Sequence, residues 1–310
     1  MAPPHTTRVM PFDAAAIAEA ARLILAGECV AMPTETVYGL AADATNAAAV
    51  AHIYAAKGRP TFNPLIVHVT DIGAAEAIGI FNAAARELAE AHWPGPLTLV
   101  VPLQPLASIA SIVTAGLGTI AVRVPAHPAM QALLGAVGRP LAAPSANASG
   151  RISPTQVSHV LASLDGRIPM IVDAGPTQRG IESTIVAATD GVLRLLRRGP
   201  VEIPQAVEMH SGEIESPGQL ASHYAPSKPL RLDAVDVRDS EFLVGFGDVA
   251  GDVTLSASGD AIEAASRLFG LLHQADASPS ETIAVAPIPG NGIAAAIRDR
   301  LQRAAAPRAT

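Results

Sequence analysis

Cysteine and aromatic residues are scarce in this chain of 310 residues, and each shortage narrows what the chain can be. Cys29 is the only cysteine, which excludes an intramolecular disulfide and a metal site built from several cysteines. Aromatic residues make up 3% of the chain and hydrophobic residues 49%, so Ala, Val, Leu and Ile must fill the interior. This composition favours an α/β core, with Cys29 buried on a strand.

Long apolar runs are lacking as well. The longest candidate, residues 97–113, is interrupted by Pro102, Gln104 and Pro105, so it falls short of the roughly 18 uncharged apolar residues that a membrane span needs. Asp13 and Glu19 lie where the apolar core of a signal peptide would have to be. We therefore expect a soluble, cytoplasmic protein with no membrane partner.

An excess of basic residues is also missing. Residues 1–200 carry 13 Lys plus Arg and 13 Asp plus Glu, whereas residues 201–310 carry 8 and 15, so the net charge of −7 comes from the last third. Nucleic-acid binding by counterion release requires a basic face. The charge balance argues against stable nucleic-acid binding, although a local basic patch would escape this count.

Helix and strand signals alternate through the first 200 residues. Asp13 can cap a helix in which Ile17, Ala21, Ile24 and Leu25 share one apolar face. By the same signals, helices are predicted at residues 13–26, 46–56, 83–91, 128–137 and 153–164, and strands at 29–32, 65–69, 97–101, 119–124 and 141–143. Residues 183–198 are predicted to form a β-hairpin that turns at Asp190-Gly191. The pattern indicates an α/β fold with an open, mixed sheet.

A linker is predicted at residues 211–228, where Ser, Gly and Pro occur without periodicity. After it, strands at 241–247 and 282–286 alternate with helices at 260–273 and 292–304. We therefore expect a large domain at 1–210 and a second, smaller α/β domain at 229–310.

Hydroxyl groups and cations cluster where the first strands end. Thr34 and Thr36 follow a strand, at the edge where open α/β folds bind ligands. Lys57 and Arg59 close a helix, and Asn63 precedes the next strand. The threonines could equally satisfy local backbone groups, and two cations at a helix C-terminus are often only partners of its dipole. The alternative is that they contact a phosphate-bearing ligand.

Two residues interrupt apolar strands. His68 lies within the strand Leu65 to Val69, and it is either a satisfied core histidine or a ligand contact. Arg123 lies within Thr119 to Val124, and burying a guanidinium without a partner is costly. A bidentate partner is therefore implied, either a carboxylate of the chain or a substrate carboxylate or phosphate.

Further polar residues lie next to the predicted helix at 153–164. Ser145 and Asn147 belong to the segment APSANASG, and Ser153 is predicted to cap the helix, so this loop is either an anion site or simply a capped loop. In the hairpin, a two-residue turn predicts that Thr184 lies opposite Arg197 and that Ser183 shares a face with Arg198. A slip of one residue would reverse this arrangement.

Taken in order, these segments resemble the YrdC-like family of threonylcarbamoyl-AMP synthases, in its longer, two-domain branch. The resemblance covers residues 15–226 and rests on PTETVYGL, KGRPxxNPLIVHV, WPGPLT, AVRVP, APSANASG with SPT, STIV, LRRG and SPGQLASHYAP. It implies an open, twisted α/β sandwich with a concave face. Two departures are Ala187, where many relatives place an acid, and the extra Arg198, which leaves open which arginine reaches the nucleotide.

The resemblance also assigns the site. The residues expected around L-threonine are Thr34, Thr36, His68, Thr119, Arg123 and Ser183, and those expected around ATP are Lys57, Arg59, Asn63, Ser145, Asn147, Ser153, Arg197, His223 and Tyr224. Lys57 and Arg59 are expected to act in catalysis, with Arg123 on the carboxylate of threonine. His223 and Tyr224 belong to the linker, which is expected to close over the pocket.

The implied reaction makes threonylcarbamoyl-AMP and pyrophosphate from L-threonine, bicarbonate or CO2, and ATP, for N6-threonylcarbamoyladenosine in tRNA. Mg2+ is expected to bind through the ATP phosphates without ligands from the protein, and a separate tRNA threonylcarbamoyl-transfer enzyme would receive the product. A double-stranded RNA-binding module without catalysis is the main alternative. The related carbamoyl-transfer enzymes of hydrogenase maturation carry zinc-finger cysteines, which Cys29 alone cannot supply.

Overall fold

A computed structural model describes residues 6–208, 215–216 and 222–307, and residues 6–208 contain one eleven-stranded sheet. Its strands are β1 (Arg8–Pro11), β2 (Val30–Pro33), β3 (Tyr38–Asp43), β4 (Ile66–His68), β5 (Leu97–Pro102), β6 (Thr119–Arg123), β7 (Leu141–Ala142), β8 (Met170–Asp173), β9 (Thr184–Ala187), β10 (Arg194–Arg197) and β11 (Val207–Glu208). They lie in the order β1-β8-β2-β3-β7-β4-β6-β5-β9-β10-β11. The sheet is mixed, as predicted, because β2 and β3 are antiparallel whereas β4 and β6 are parallel.

Helices α1 (Ala14–Leu25), α2 (Ala47–Lys57), α3 (Ile72–Glu76), α4 (Ala83–His92), α5 (Ser111–Thr114), α6 (Pro128–Val137) and α7 (Val157–Leu164) accompany this sheet. Asp13 caps α1 by accepting a hydrogen bond from the backbone of Ala16, as its position predicts. Leu25 is half-exposed and does not join the buried face. The prediction that Ser153 begins α7 is wrong, because the helix begins at Val157 and the Ser153 hydroxyl binds a carboxylate instead.

The hairpin keeps the register that its turn predicts as far as Leu195, opposite Val186, and departs from it beyond that residue. Arg197 lies opposite Ile185, not Thr184, because an irregularity between Leu195 and Arg197 adds a residue to β10. Such a bulge changes which side chains share a face. As a result Arg197 is buried beside Ser183, and Arg198 points outward to an ion pair with Glu208.

The C-terminal part forms a second sheet from β12 (Leu230–Arg231), β13 (Glu241–Gly245), β14 (Val253–Thr254) and β15 (Thr282–Val285), in the order β12-β15-β13-β14. All its pairings are parallel, and helices α8 (Ala261–Ala277) and α9 (Ile293–Ala305) cover it. A second, smaller α/β unit was predicted here, and its two helices and longest strands lie close to the predicted bounds.

The two units pack directly on each other. The core of the C-terminal unit includes Val37, Ile152 and Ile181 of the first unit. Gly180, with φ +70°, lies so close to α8 that a Cβ there would fall 2.4 Å from the backbone oxygen of Ala265. Helix α9 also contacts the first unit, because Arg300 donates hydrogen bonds to Glu182 and to the carbonyl of Arg198.

Much of the predicted linker at 211–228 lies outside the described residues, so the boundaries at 210 and 229 remain predictions. The part that is described, residues 222–228, joins both units. The backbone NH of His223 donates to the carbonyl of Arg303 on α9, and that of Ala225 donates to Gly150. In the described ranges, no helix is long and apolar enough to cross a membrane.

Candidate functional site

A hollow between the large sheet and residues 222–226 brings together most of the predicted site residues. It encloses about 530 Å3 of empty space, open mouth included. Its lining includes Thr34, Thr36, Arg59, His68, Arg123, Ser145, Ser183, Arg197, His223 and Tyr224. Arg59, Arg123 and Arg197 therefore converge on one cavity, although they come from a helix end, a central strand and the hairpin.

Arg123 has an internal partner that the sequence analysis left open. Its Nη2 donates to Oε1 of Glu35 at 2.5 Å, its Nη1 to Oγ1 of Thr36 at 3.0 Å, and its Nε to the carbonyl of Gly95. Glu35 also accepts a hydrogen bond from the backbone of Ala126, and its pKa is lowered because the nearby guanidinium outweighs the opposing effect of burial. Three of the five N–H donors of Arg123 are thus used, and two remain for a ligand.

His68 lies beside Arg123 because β4 and β6 pair in parallel, with these two residues in register. Burial, reinforced by the charge of Arg123, lowers the pKa of His68 to about 3. The imidazole is therefore neutral at physiological pH. Its Nδ1 is buried with no hydrogen-bond partner among the described residues, so a ligand in the hollow can reach a free ring nitrogen.

Lys57 is placed differently from the prediction. Its Nζ donates to the backbone carbonyls of Ser145 and Asn147, both at 2.5 Å, and it is not among the residues that line the hollow. Burial, and then the charge of Arg59, lowers its pKa well below the ordinary value for lysine. In this conformation Lys57 holds the loop that carries Ser145, and it does not face the cavity directly.

Arg59 and Asn63 follow Lys57 in the chain and contact each other. The Nε and Nη2 of Arg59 donate to the carbonyls of Asn63 and Pro64, at 3.1 and 2.8 Å, and burial lowers the pKa of Arg59 to about 10. The side-chain amide of Asn63 is buried with neither atom hydrogen-bonded, and Oδ1 of Asn147 is buried in the same state. Such orphaned polar atoms are rare in native structures and call for a ligand or a water.

Arg197 is the arginine of the hairpin that reaches the cavity. Its Nε and Nη2 donate to the carbonyl and hydroxyl of Ser183, at 3.0 and 3.1 Å, and burial lowers its pKa. Arg198 pairs with Glu208 and is not in the lining. The bulge in β10 decides between them, which sequence alone could not.

Glu182 is a lining residue that the sequence analysis missed. Its carboxylate accepts from the hydroxyl of Ser153 and from Nε of Arg300 on α9. Ser153 is completely buried and lies behind Glu182, outside the lining. In the sequence, Glu182 is marked only by its position directly before Ser183. That signal is weak, because an acid next to a site residue is a common feature of surface loops.

His223 and Tyr224 lie over the hollow, with ring centroids 4.1 Å apart. Tyr224 adopts φ +62°, which is uncommon outside glycine. Burial, followed by the charges of Arg59 and Lys57, lowers the pKa of His223 well below its ordinary value, so its ring is neutral. Its Nδ1 has no hydrogen-bond partner within the described part of the chain.

Thr119 lies apart from the other residues that were expected around L-threonine. It is the first residue of β6 and Arg123 is the last, which separates them by about 13 Å along the strand at the usual rise per residue. A threonine whose carboxylate binds Arg123 could not reach that far. Thr119 is also not in the lining of the hollow.

The cations of this cavity are enclosed, not spread over a surface. Arg59, Arg123 and Arg197 are each no more than 8% exposed. Double-stranded RNA is bound through its phosphates and 2′-hydroxyls across a wide groove, which needs accessible donors. Buried arginines that line one hollow suit a small anionic ligand, so the RNA-binding alternative is not favoured.

Two family models match the chain. One, described as telomere recombination, covers residues 22–199, and the other, described as threonylcarbamoyl-AMP synthase, C-terminal domain, covers residues 177–306. The threonylcarbamoyl-AMP synthase of Bacillus subtilis is 39% identical over 94% of this chain and 93% of its own length. That of Pyrococcus abyssi is 36% identical over 92% of both chains.

Solved structures agree with these matches. A crystal structure of P. abyssi Sua5 complexed with L-threonine has a TM-score of 0.88 at 33% identity, and the match covers 96% of this chain and 98% of that one. E. coli YciO matches 65% of this chain with a TM-score of 0.59 at 18% identity, a likeness of fold alone. The YrdC-like fold and the second domain expected from sequence are thereby confirmed.

Proposed function

The chain belongs to the threonylcarbamoyl-AMP synthase family, and we propose that it forms threonylcarbamoyl-AMP and pyrophosphate from L-threonine, bicarbonate or CO2, and ATP. The observation that supports this most directly is the convergence of Arg59, Arg123 and Arg197 on one enclosed hollow. In a site shielded from water, fixed cations stabilise phosphate and carboxylate groups far more strongly than they do in solution.

L-threonine fits the Arg123 side of the hollow. The two free N–H donors of Arg123 match a carboxylate, and Glu35 and Thr36 hold the guanidinium in place. Neutral His68 offers its free Nδ1, and the Ser183 hydroxyl lies in the same lining. L-threonine in the complex of the P. abyssi relative supports the same substrate here.

ATP fits the opposite side, where Arg59, Arg197 and Ser145 line the hollow. Lys57, Asn63, Asn147 and Ser153 stand behind this lining, and the unpaired amide atoms of Asn63 and Asn147 could turn to a nucleotide. No group of three or more His, Cys, Asp or Glu in the described residues could hold a metal ion. We propose that Mg2+ binds through the phosphates of ATP, where it would supply charge neutralisation.

The proposed chemistry needs no protein nucleophile. The amine of threonine bonds to the carbon of CO2 and loses a proton, which leaves a carbamate. A carbamate oxygen then attacks the α-phosphorus of ATP, the bond to the β-phosphate oxygen breaks, and pyrophosphate leaves with that electron pair. Arg59 and Arg197 orient the phosphates and stabilise the charge that develops on them, so positioning and electrostatics dominate.

The segment around His223 and Tyr224 is proposed to act as a lid that protects the labile adenylate from water. Deleting residues 211–310 is expected to abolish or uncouple adenylate formation, although it also uncovers the apolar residues Val37, Ile152 and Ile181. His223→Ala is the milder variant, and it should release more AMP per pyrophosphate than the parent protein. Full, coupled activity in both proteins would contradict the lid.

The proposed function is tested by pyrophosphate release from ATP. We expect release to depend on both L-threonine and bicarbonate, and L-serine to be poorer by about 1–3 kcal/mol, the usual worth of one methyl group in a fitted pocket. Pyrophosphate release that does not depend on threonine, or salt-sensitive RNA binding without ATP turnover, would contradict the proposed function.

We further propose a cytoplasmic location and a downstream tRNA threonylcarbamoyl-transfer enzyme as the recipient of the product.

A further inference from the structure

Arg300 is the largest fully buried side chain in the described part of the protein. It lies on α9 of the C-terminal unit, on the same helix face as Ile297, Leu301 and Ala304, all of which are buried. An arginine on the apolar face of a helix must be paired and hydrogen-bonded, because an uncompensated buried charge costs several kcal/mol. Its partners therefore show what this position does.

Apart from a 3.4 Å contact with its neighbour Asp299 on α9, the contacts that the described residues give the Arg300 side chain are to the side of the molecule that carries the hollow. Its Nε donates to Oε2 of Glu182 at 3.2 Å, and its Nη1 donates to the carbonyl of Arg198. Its guanidinium lies 5.6 Å from the ring centroid of Tyr224, within range of a cation–π contact. A single side chain of the C-terminal unit thus touches the hairpin, the acid in the cavity wall and the segment over the cavity.

Glu182 connects Arg300 to the nucleotide side of the hollow. Its other carboxylate oxygen accepts a hydrogen bond from Ser153, and Glu182 itself lines the hollow with Arg59 and Arg197. A carboxylate in the wall of a phosphate site is unfavourable unless its charge is balanced. Arg300 supplies that balance from behind the wall, so the arginines in the lining keep their charge for the ligand.

We propose that Arg300 is a positioning residue by which the C-terminal domain tunes the nucleotide side of the active site, acting through Glu182 and Tyr224. This inference rests on the proposed function, because it assigns the ATP half of that reaction to one contact from the second domain. Without Arg300, the carboxylate of Glu182 is left unpaired beside the ATP phosphates and repels them. The Arg123–Glu35 pair on the threonine side makes no hydrogen bond to Glu182 or Arg300 among the described residues.

The experiment compares Arg300→Met, the double variant Arg300→Met with Glu182→Gln, and Arg300→Lys in the full-length chain. Pyrophosphate release is measured at a temperature below the unfolding transition of every variant. We expect Arg300→Met to raise KM for ATP by roughly 10-fold or more, as for loss of a hydrogen bond to a charged group, while KM for threonine changes less than about twofold. Arg267→Met is the matched control, because Arg267 is an exposed arginine on α8 that pairs only with Glu263 among the described residues.

The double variant separates charge balance from packing. It removes the unpaired carboxylate together with the arginine, so we expect KM for ATP to recover most of the loss, and Arg300→Lys to lie between the single variant and the parent protein. A double variant as impaired as Arg300→Met, or equal increases in KM for both substrates, would overturn the proposal. If Arg300→Met does not fold, the Arg300→Lys and double variants decide by the same criterion. A parent protein that releases no pyrophosphate would instead refute the proposed function.

Discussion

The two halves of the cavity differ in how their polar groups are satisfied. On the threonine side, Arg123, Glu35 and Thr36 form a closed set of hydrogen bonds that leaves two N–H donors of Arg123 unused, and Nδ1 of His68 has no partner among the described residues. On the nucleotide side, the amide of Asn63 and Oδ1 of Asn147 are buried without partners.

This difference indicates two ways of preparing a binding site. A carboxylate ligand is small and planar, so one pre-oriented guanidinium can recognise it, and internal partners that hold the guanidinium still reduce the entropy lost on binding. A nucleotide is long, and its contacts are spread over loops. We propose that the unpaired amide atoms of Asn63 and Asn147 lower the stability of the free protein and gain hydrogen bonds when the nucleotide binds.

The largest effect is expected from Arg123→Met, which breaks the closed set. It leaves Glu35 buried and unpaired, which costs about 3–5 kcal/mol of stability, and it removes the partner of the substrate carboxylate. We expect kcat/KM for threonine to fall by more than about 100-fold, measured by pyrophosphate release beside urea unfolding. Adding Glu35→Gln should restore much of the stability and none of the threonine kinetics. Recovery of both would mean that Arg123 serves the fold alone.

A smaller effect, of opposite sign for stability, is expected from Asn63→Leu. The backbone carbonyl of Asn63, which accepts from Arg59 and Tyr54, is unchanged by this substitution. Because the side-chain amide is unpaired, an apolar residue of similar size should leave stability unchanged or raise it by about 1 kcal/mol, while KM for ATP rises by about 10-fold. Urea unfolding without ligand and steady-state kinetics measure the two quantities. A clear loss of stability would show that the amide is not an idle group awaiting a ligand.

The smallest expected effect is that of pH on the free energy of unfolding. The folded pKa of His68 is lowered to about 3 from an ordinary value near 6.5, so the unfolded chain binds protons more readily, and stability is lost as pH falls below 6.5. From pH 7.5 to 5.5 this histidine should cost about 1.4 kcal/mol, and His68→Gln should lower the acid sensitivity of unfolding by that amount. KM for threonine in the parent protein should stay flat over this range. A step in KM near pH 6.5 would show that His68 titrates in the folded state.

Much of the fold could be predicted from local signals. The caps at Asp13 and Asn46, the left-handed stop at Gly58 and the β-forming runs act within a few residues, and α2 and α6 lie within a residue of their predicted bounds. Strands β1, β3 and β8 were not predicted, and neither were the two-residue strands β11, β12 and β14 or the short helices α3 and α5. Strands β3 and β8 are buried, so their residues do not alternate between apolar and polar. Strand β1 is short and lies at the edge of the sheet.

Arg197 was expected around the nucleotide, and the bulge in β10 brings it and not Arg198 into the lining of the cavity. Thr119 was expected near Arg123 but lies at the other end of β6. Lys57 was expected to face a ligand and instead holds two loop carbonyls. The outcomes for Arg197 and Lys57 depend on where another segment lies in space, which residue spacing does not encode, whereas the distance of Thr119 from Arg123 follows from the length of β6 alone.

What the sequence determined by itself was the list of polar residues, the strand and helix segments that carry most of them, and the two-domain order, because propensity, capping and motif spacing are local properties of the chain. What only the tertiary structure decided was the partnership of charges. Glu35 pairs with Arg123, and Glu182 with Arg300, across 88 and 118 residues of chain. Coulomb forces and desolvation depend on distance and burial in three dimensions, so these pairs become visible only when the strands and α9 are packed together.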